Sequence, residues 1–289
     1  MVMKQAALIV AIVIAGSVRA FGAGADEQAA RAAAAPVLPL EGDAAIVTLF
    51  VKPDRAAAFD EVIAKLKAAV QRSTNPQRRA QAAGWQVFRT QEQVQGNVSY
   101  LMRIDPVVAD VDYDIPRLLA EELPGEAADL TRVYRDAQVA RSLMALTRIS
   151  VPGLGGAATD DPPVPPTAVP VLSFDAIDAA VLTVLVRPEL AADFEASLGH
   201  VGRAMQASKT AGRKRQAAGW KVFRGTQPFG GNIPYVISLD PVMYRIEYDP
   251  MRLIQEAFPR EVDAVFAKYR AAFVGQAIAR LTHRVQLAQ

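Results

Sequence analysis

The sequence predicts an α+β protein made of two copies of one module. The first observation is an internal repeat, because a shift of 135 residues aligns Ala44–Ile149 with Ala179–Arg284 without a gap. The second is the order of strand and helix patterns, which is the same in both copies. The third is the composition, since 51% hydrophobic and 21% charged residues are typical of globular chains. We therefore expect two domains of one architecture.

The repeat sets the predicted domain boundaries. Its densest block reads Gln-Ala-Ala-Gly-Trp-x-Val-Phe-Arg and occupies Gln81–Arg89 and again Gln216–Arg224. The first module is predicted over residues 44–150 and the second over 179–289. Residues 151–178 are rich in proline and glycine and predict an extended linker. Residues 26–43 form an Ala/Pro-rich lead-in, which follows a signal peptide predicted over residues 1–25.

Each module begins with a strand and a helix. Ala45–Val51 and Ala180–Val186 are rich in β-branched residues, and a proline follows each run two residues later. Proline is favoured in the first turn of a helix. The apolar residues that follow recur at three- and four-residue spacing, which marks one buried helical face. In the first module they are Phe59, Val62, Ile63, Leu66 and Val70.

A hairpin, further helices and a last strand complete the module. Two strand patterns flank the Gly96-Asn97 pair, which is typical of a hairpin turn. Asp114 and Asp249 stand just before prolines, where they predict helix N-caps. The final apolar runs, Leu143–Ile149 and Ile278–Val285, fit either a strand or a helix. If they are strands, the order is β-α-β-β-α-β.

This order is that of a ferredoxin-like module. A four-stranded antiparallel sheet with helices on one face needs cover on its other face. The chain therefore resembles the dimeric α/β-barrel superfamily, whose modules pair sheet to sheet, and the sequence leaves open whether pairing occurs within or between chains. The repeated block is also similar to uncharacterised exported bacterial proteins. The resemblance implies no activity, because the superfamily includes monooxygenases, isomerases, haem enzymes and stress proteins.

The N-terminus predicts export to the periplasm or the extracellular space. Lys4 precedes the apolar run Gln5–Val18, and Ala23–Ala25 gives a small-x-small cleavage pattern. The run is about 14 residues, shorter than the roughly 20 that span a bilayer, so no stable membrane insertion is expected after cleavage. The sequence contains no cysteine, which fits export and excludes disulfides and cysteine nucleophiles.

Charge and motifs exclude several classes of function. Removal of residues 1–25 leaves 30 basic and 30 acidic residues, so no net charge favours binding to nucleic acid. The short basic clusters Arg78-Arg79 and Arg213–Arg215 are expected on solvated helix faces. No phosphate-binding, dinucleotide-binding, metalloprotease or nucleophile-elbow motif is present. No metal, cofactor or catalytic residue is therefore predicted.

Five residues are predicted to contact a ligand. Arg89 and Arg224 end the Trp-x-Val-Phe strands, where they act either as anion clamps or as partners of a local carboxylate. Arg103 alternates with the apolar residues of its strand and corresponds to Ser238 in the second copy, so the two modules differ there. Thr48 and Thr183 are expected to join this face.

The chain has two histidines, His200 and His283. Resemblance to the superfamily draws attention to His283, because some tandem barrels bind haem through a histidine of the second module. Its flanking residues match no haem signature. We therefore expect both histidines to have ordinary structural roles.

Two functions remain open at the level of sequence. The first is a non-catalytic exported protein that acts by binding or as an interaction module, which the missing catalytic residues favour. The alternative is a cofactor-independent small-molecule enzyme of the dimeric α/β-barrel type, with a site between the two modules. In both cases the expected partner is a small molecule rather than nucleic acid, and the oligomeric state is not predicted.

Overall fold

The computed structural model describes residues 36–157 and 159–288. The predicted signal peptide and most of the predicted lead-in lie outside the described residues. In the described ranges no helix is long and apolar enough to cross a membrane.

Both repeats fold into the same succession of elements. The first contains β1 (Ala44–Val51), α1 (Ala56–Arg72), α2 (Pro76–Ala83), β2 (Trp85–Val94), β3 (Asn97–Ile104), α3 (Ile115–Glu122), α4 (Ala127–Ala137) and β4 (Gln138–Ile149). The second contains β5 (Ala179–Val186), α5 (Ala191–Ala207), α6 (Arg213–Ala218), β6 (Trp220–Gly225), β7 (Ile233–Leu239), α7 (Pro250–Ala257), α8 (Val262–Ala272) and β8 (Phe273–Gln286). This order confirms the predicted α+β fold of two ferredoxin-like modules.

The strands form one closed, hydrogen-bonded sheet in the order β1-β3-β2-β8-β5-β7-β6-β4. Within the first repeat β1 pairs antiparallel with β3, with Thr48 opposite Leu101. Within the second, β5 pairs antiparallel with β7, with Thr183 opposite Val236. In addition β4 pairs antiparallel with β6, with Thr147 opposite Arg224, and β5 pairs antiparallel with β8, with Val181 opposite Ala279.

The last strands are longer than the apolar runs predicted. β4 begins at Gln138 and β8 at Phe273, each directly after a helix. The added residues include Gln138, Arg141 and Ser142, which are only partly buried. Because these residues face a mixed environment, no apolar run marks them in the sequence.

The chain divides into two compact units. The N-terminal unit contains the described residues up to Phe88, then Gln93–Ala145 and the residues from Val285 onward. The C-terminal unit contains Leu146–Arg284 and Arg89–Glu92. Each has a hydrophobic core between one face of its strands and its helices.

The segments predicted as lead-in and linker contribute to these cores. Leu40 is buried in the N-terminal core, and Leu38 packs against it. Val164 and Phe174 are buried in the C-terminal core. Asp112 accepts hydrogen bonds from the backbone of Val37 and Leu38, and Glu247 accepts the equivalent pair from Val171 and Leu172. These segments are therefore straps attached to the modules.

Candidate active site

A small cavity lies in the N-terminal unit on the helix-facing side of the sheet. It has room for about one water molecule. Apolar side chains from Leu38, β1, β3 and α3 form most of its wall, and Trp85, Tyr113, Tyr134 and Arg141 complete the lining. Ligand pockets usually measure about 300–1,000 Å³, so a ligand larger than water requires the side chains around this cavity to move.

Trp85 lines this cavity and carries a buried, unpaired hydrogen-bond donor. The side chain is only 2% exposed, as expected of a core anchor, and its ring centroid lies 5.5 Å from that of Tyr113. The indole Nε1–H is buried and has no hydrogen-bond partner among the described residues. Leaving a buried donor unpaired costs about 1–3 kcal/mol. A ligand oxygen that accepts this hydrogen bond would remove that cost.

Tyr134 is the second polar group of the cavity. It lies on α4, where its ring stacks on Phe59 at a centroid distance of 5.8 Å. Burial raises the pKa of the Tyr134 hydroxyl to about 12, while the charge of Arg141 lowers it and that of Asp114 raises it. The hydroxyl is therefore neutral at physiological pH and can donate a hydrogen bond.

Arg141 carries the positive charge of the cavity. It extends from β4 towards Asp114, with 3.8 Å between Nη1 and Oδ1. This distance allows electrostatic attraction but exceeds that of a hydrogen bond. Asp114 caps α3 by accepting from the backbone N–H of Arg117, which confirms the predicted N-cap. Burial raises the pKa of Asp114, although that hydrogen bond and Arg141 oppose the shift.

The cavity thus combines an apolar wall with an indole N–H, a neutral phenol and a guanidinium. Each of these groups donates hydrogen bonds at neutral pH. Such donors stabilise an oxygen atom that carries or develops negative charge. In the described residues no group of three or more His, Cys, Asp or Glu is arranged to hold a metal ion.

Two of the predicted ligand residues share the opposite face of the sheet in the N-terminal unit. Thr48 is half-buried and alternates with Val47 and Leu49, which belong to the helix-facing core. Arg103 is 8% exposed, donates a hydrogen bond to Gln86 and lies 5.5 Å from the centroid of the Phe88 ring. These two predicted residues are separated from the cavity by the sheet.

The other predicted residues are not gathered into one site. Arg224 is exposed, with Nη1 3.9 Å from Oε1 of Glu195, so it contacts a local carboxylate. Thr183 is half-buried on β5 and alternates with core residues, which places it on the opposite sheet face. Arg89 is half-buried, and its carbonyl oxygen accepts a hydrogen bond from the Thr282 hydroxyl.

Neither histidine lines the cavity. His283 is exposed in β8 with a φ of 53°, and its Nδ1 lies 3.4 Å from the Thr282 hydroxyl. An exposed imidazole does not fit the role of a buried haem ligand. His200 lies on α5, with Nδ1 2.8 Å from Nη2 of Arg203 and 3.4 Å from Oε2 of Glu261.

The expectation that the basic clusters are solvated is wrong for one arginine of each. Arg78 and Arg213 are 8% and 4% exposed. Each pairs with a glutamate of the following helix and donates to a glutamine three residues ahead, Gln81 or Gln216. The matching Arg-x-x-Gln spacing in both copies was the available sequence signal. These buried groups stabilise the module rather than bind an external anion.

Sequence reasoning also missed the residues of the cavity. Trp85 and Arg141 were not among the predicted ligand residues, because neither lies in a known motif. The available signal was a difference between the copies, since Arg141 corresponds to Gln276 while Trp85 and Tyr134 correspond to Trp220 and Tyr269.

No protein-family model and no curated protein matches the sequence. Solved structures match over most of the chain. A protein described as a monooxygenase from Fusobacterium nucleatum is 12% identical, with 83% of this chain and 90% of that chain covered and a TM-score of 0.43. An anthrone oxidase-like protein is 13% identical, with 88% and 98% covered and a TM-score of 0.36. A chlorite dismutase from Candidatus Nitrospira defluvii is 11% identical, with 84% and 92% covered and a TM-score of 0.37.

At 11–13% identity, these matches are a likeness to solved structures and no more. The first expectation from sequence, a non-catalytic binding or interaction protein, is corrected, because the matched proteins are described as a monooxygenase, an oxidase-like protein and a chlorite dismutase. The absence of a familiar motif had favoured that expectation. It excludes only enzymes that depend on those motifs.

Proposed function

We propose that the protein is an enzyme that acts on a small organic molecule, which enters at the cavity of the N-terminal unit when the side chains around it move. The observation that carries this proposal is the buried, unpaired N–H of Trp85 in a cavity that also holds Tyr134 and Arg141. Trp220 has the same buried, unpaired indole N–H in the second repeat, so the feature that sets this site apart is the lining of a cavity by Trp85, Tyr134 and Arg141 together. The alternative drawn from sequence placed the site between the modules, whereas this proposal places it within one unit.

The donors favour a reaction in which a substrate oxygen gains negative charge. A carbonyl oxygen does so when the carbon beside it loses a proton to a base, and an enol or phenol oxygen does so when it loses its own proton to a base. Trp85 and Tyr134 would stabilise that oxygen by hydrogen bonds, and Arg141 would stabilise it by its charge. The protein's own side chains then bind and orient the substrate, and the apolar wall excludes water.

The test compares matched tryptophan variants. Trp85→Phe removes the indole N–H in the cavity, and Trp220→Phe makes the same change in the second repeat, where the indole N–H is also buried and unpaired. Full-length protein is incubated with a mixture of small oxo- and hydroxy-compounds, and depletion is followed by mass spectrometry. We expect turnover of at least one compound, with a loss of about tenfold or more in Trp85→Phe alone. Absence of turnover, or equal loss in both variants, would contradict the proposal.

Export is proposed alongside this function. Support comes from the positive n-region, apolar run and small-x-small pattern of residues 1–25. Expression in a Gram-negative host should yield periplasmic protein that begins at Asp26, measured by fractionation and intact mass. Cytoplasmic protein of full mass would contradict it.

A further inference from the structure

Both repeats carry a short strap that is held in the same way. The first strap, residues 37–40, reads Val-Leu-Pro-Leu, and the second strap, residues 171–174, reads Val-Leu-Ser-Phe. In each strap the backbone N–H groups of the valine and the leucine donate to one carboxylate, that of Asp112 or of Glu247. The carbonyl oxygen of the leucine accepts from the backbone N–H of the tyrosine that follows this carboxylate, at 3.1 and 2.7 Å. The straps are therefore equivalent parts of the two repeats.

The first strap closes one side of the cavity of the N-terminal unit. All but two of the residues that line the cavity lie on helices or strands, and the exceptions are Leu38 and Tyr113. Tyr113 is 2% exposed, and its hydroxyl accepts a hydrogen bond from the backbone N–H of Val108, so it is fixed in the core. Leu38 is only partly buried and follows the exposed Val37. It is the part of the wall that can move with the least disruption of packing.

An ion pair fastens the second strap, and the first repeat has acids at both equivalent positions. Nε of Arg245 lies 3.0 Å from Oδ1 of Asp175, the residue directly after the strap. The backbone N–H of Arg245 also donates to the carbonyl oxygen of Phe174. The equivalent positions of the first repeat carry Asp110 and Glu41. Two carboxylates repel each other, so this attraction is lost at the first strap.

The aromatic residue of the second strap adds another fastening. Phe174 is 1% exposed, and its ring meets that of Tyr248 edge-on at a centroid distance of 5.2 Å. Such pairs stabilise a core beyond the area that they bury. The first strap has Leu40 at this position, which has no ring to pack on Tyr113. The first strap is therefore held less firmly than the second.

From these observations we infer that the first strap is a lid over the cavity, with Asp112 as its latch and Leu38 as the side chain that closes the entrance. Opening exchanges three hydrogen bonds of the strap for hydrogen bonds to water. It also removes Leu38 from the wall that it shares with Trp85 and Arg141. The closed cavity has room for about one water molecule, so a larger molecule enters only after this movement. The inference rests on the proposed function for the purpose of opening, but opening is measured without a substrate.

The first experiment measures opening in the unmodified full-length protein. Amide hydrogen exchange is followed residue by residue by NMR and corrected for the intrinsic rate of each amide. The N–H groups of Leu38 and Tyr113 are released when the first strap opens, and those of Leu172 and Tyr248 are their counterparts. We expect the first pair to exchange about tenfold or more faster than the second. Equal exchange of the two pairs overturns the inference.

The second experiment measures whether opening exposes the cavity. Trp85 and Trp220 are the only tryptophans, and the indole N–H of each is buried. Their two NMR signals are assigned with Trp220→Phe, and we expect the Trp85 indole to exchange about tenfold or more faster. Asp112→Asn should accelerate it about tenfold further, because one acceptor of the latch becomes a donor. Asp110→Arg should slow it about twofold or more, because it introduces the ion pair of the second strap.

A matched control and the pair of variants make the outcome decisive. Glu247→Gln alters the second strap alone and should leave the exchange of the Trp85 indole unchanged. Equal exchange of the two indoles, or a Trp85 rate that neither Asp112→Asn nor Asp110→Arg changes, overturns the inference. Asp110→Arg keeps it testable if Asp112→Asn fails to fold. Opening without turnover of any compound sustains the lid and rejects the proposed enzyme, whereas turnover by a protein whose straps exchange alike does the reverse.

Discussion

At the scale of single residues, the carboxylate of Asp112 joins the first strap to the module. Oδ2 accepts a hydrogen bond from the backbone N–H of Val37 at 2.7 Å, and Oδ1 accepts from those of Leu38 and Asp114, both at 2.9 Å. Nη1 of Arg117 lies 3.5 Å from Oδ2. One side chain thereby accepts hydrogen bonds from three backbone N–H groups that lie outside helices and strands.

Replacement of Asp112 by asparagine should destabilise the protein by about 1–3 kcal/mol, because one acceptor oxygen becomes a donor facing a backbone N–H. The measurement is urea unfolding monitored by circular dichroism. Asp110→Asn is the matched control, since Asp110 is exposed and asparagine tolerates its φ of 59°. Equal unfolding midpoints for the two variants would show that the strap needs no carboxylate.

The same carboxylate predicts a dependence on pH. Burial raises the pKa of Asp112, but the N–H groups of Val37, Asp114 and Leu38 and the charge of Arg117 lower it below 3.8 overall. A depressed pKa means that the stabilisation is present above the unfolded value and is lost as pH falls through the folded value. The stability difference between wild type and Asp112→Asn should therefore be full at pH 7 and shrink below pH 3.8. A constant difference in unfolding midpoint across this range would contradict the assignment.

At the scale of elements, helix α5 contains two glycines with different surroundings. A Cβ added at Gly202 would lie 2.0 Å from the carbonyl oxygen of Pro152, where the segment after β4 crosses the helix. A Cβ added at Gly199 would meet nothing closer than Nη1 of Arg203 at 3.9 Å. The close contact between α5 and the crossing segment therefore requires a glycine at position 202 but not at position 199.

Alanine substitutions at these two positions should have opposite effects. Gly202→Ala forces the crossing segment away and should cost about 1–3 kcal/mol. Gly199→Ala places a better helix former in the same helix and should stabilise by up to about 1 kcal/mol. Thermal unfolding of both variants provides the comparison. A neutral Gly202→Ala would mean that the crossing segment does not pack tightly on α5.

At the scale of the whole molecule, each long last strand leads from one unit into the other. The residues that follow β4 and β8 are buried in the core of the unit that the strand enters. Leu287, at the C-terminal end of the second repeat, is fully buried in the core of the N-terminal unit, and its backbone N–H donates to the carbonyl oxygen of Trp85. Val151, just after β4, is buried in the core of the C-terminal unit. The folding of each unit therefore depends on chain from both repeats.

Leu287→Ala should destabilise the N-terminal unit by about 2–5 kcal/mol, because it removes a fully buried side chain. Val274→Ala, on the same strand but 44% exposed, should change stability by no more than about 0.5 kcal/mol. Hydrogen exchange measured by mass spectrometry should show the loss of protection in β1–β3. Unchanged protection there would indicate that the last residues are not needed by this core.

Much of the fold could be predicted because its signals are local. The Gly96-Asn97 turn, the Asp114 cap and the helical spacing from Phe59 to Val70 each depend on residues within one or two turns. The straps could not be predicted in the same way. Leu38 and Phe174 lie in segments rich in proline and small residues, and their burial is set by Asp112 and Glu247, more than 70 residues away in sequence.

The candidate site could not be predicted from the sequence either. The sequence shows only that one of its residues differs between the two repeats. The sequence shows that Gln276 stands in the second repeat where Arg141 stands in the first. It does not show that Arg141 lines the same cavity as Trp85. That cavity also depends on an indole N–H without a partner, which only packing can reveal.

The sequence by itself determined the duplication, the order of elements and the fold class, because periodicity, capping and turn chemistry act over short distances along the chain. Only the tertiary structure decided how the strands pair, which segments complete each core and which polar side chains line one cavity. These depend on strand pairing and packing between residues far apart in sequence, and the candidate active site is the result of those long-range contacts.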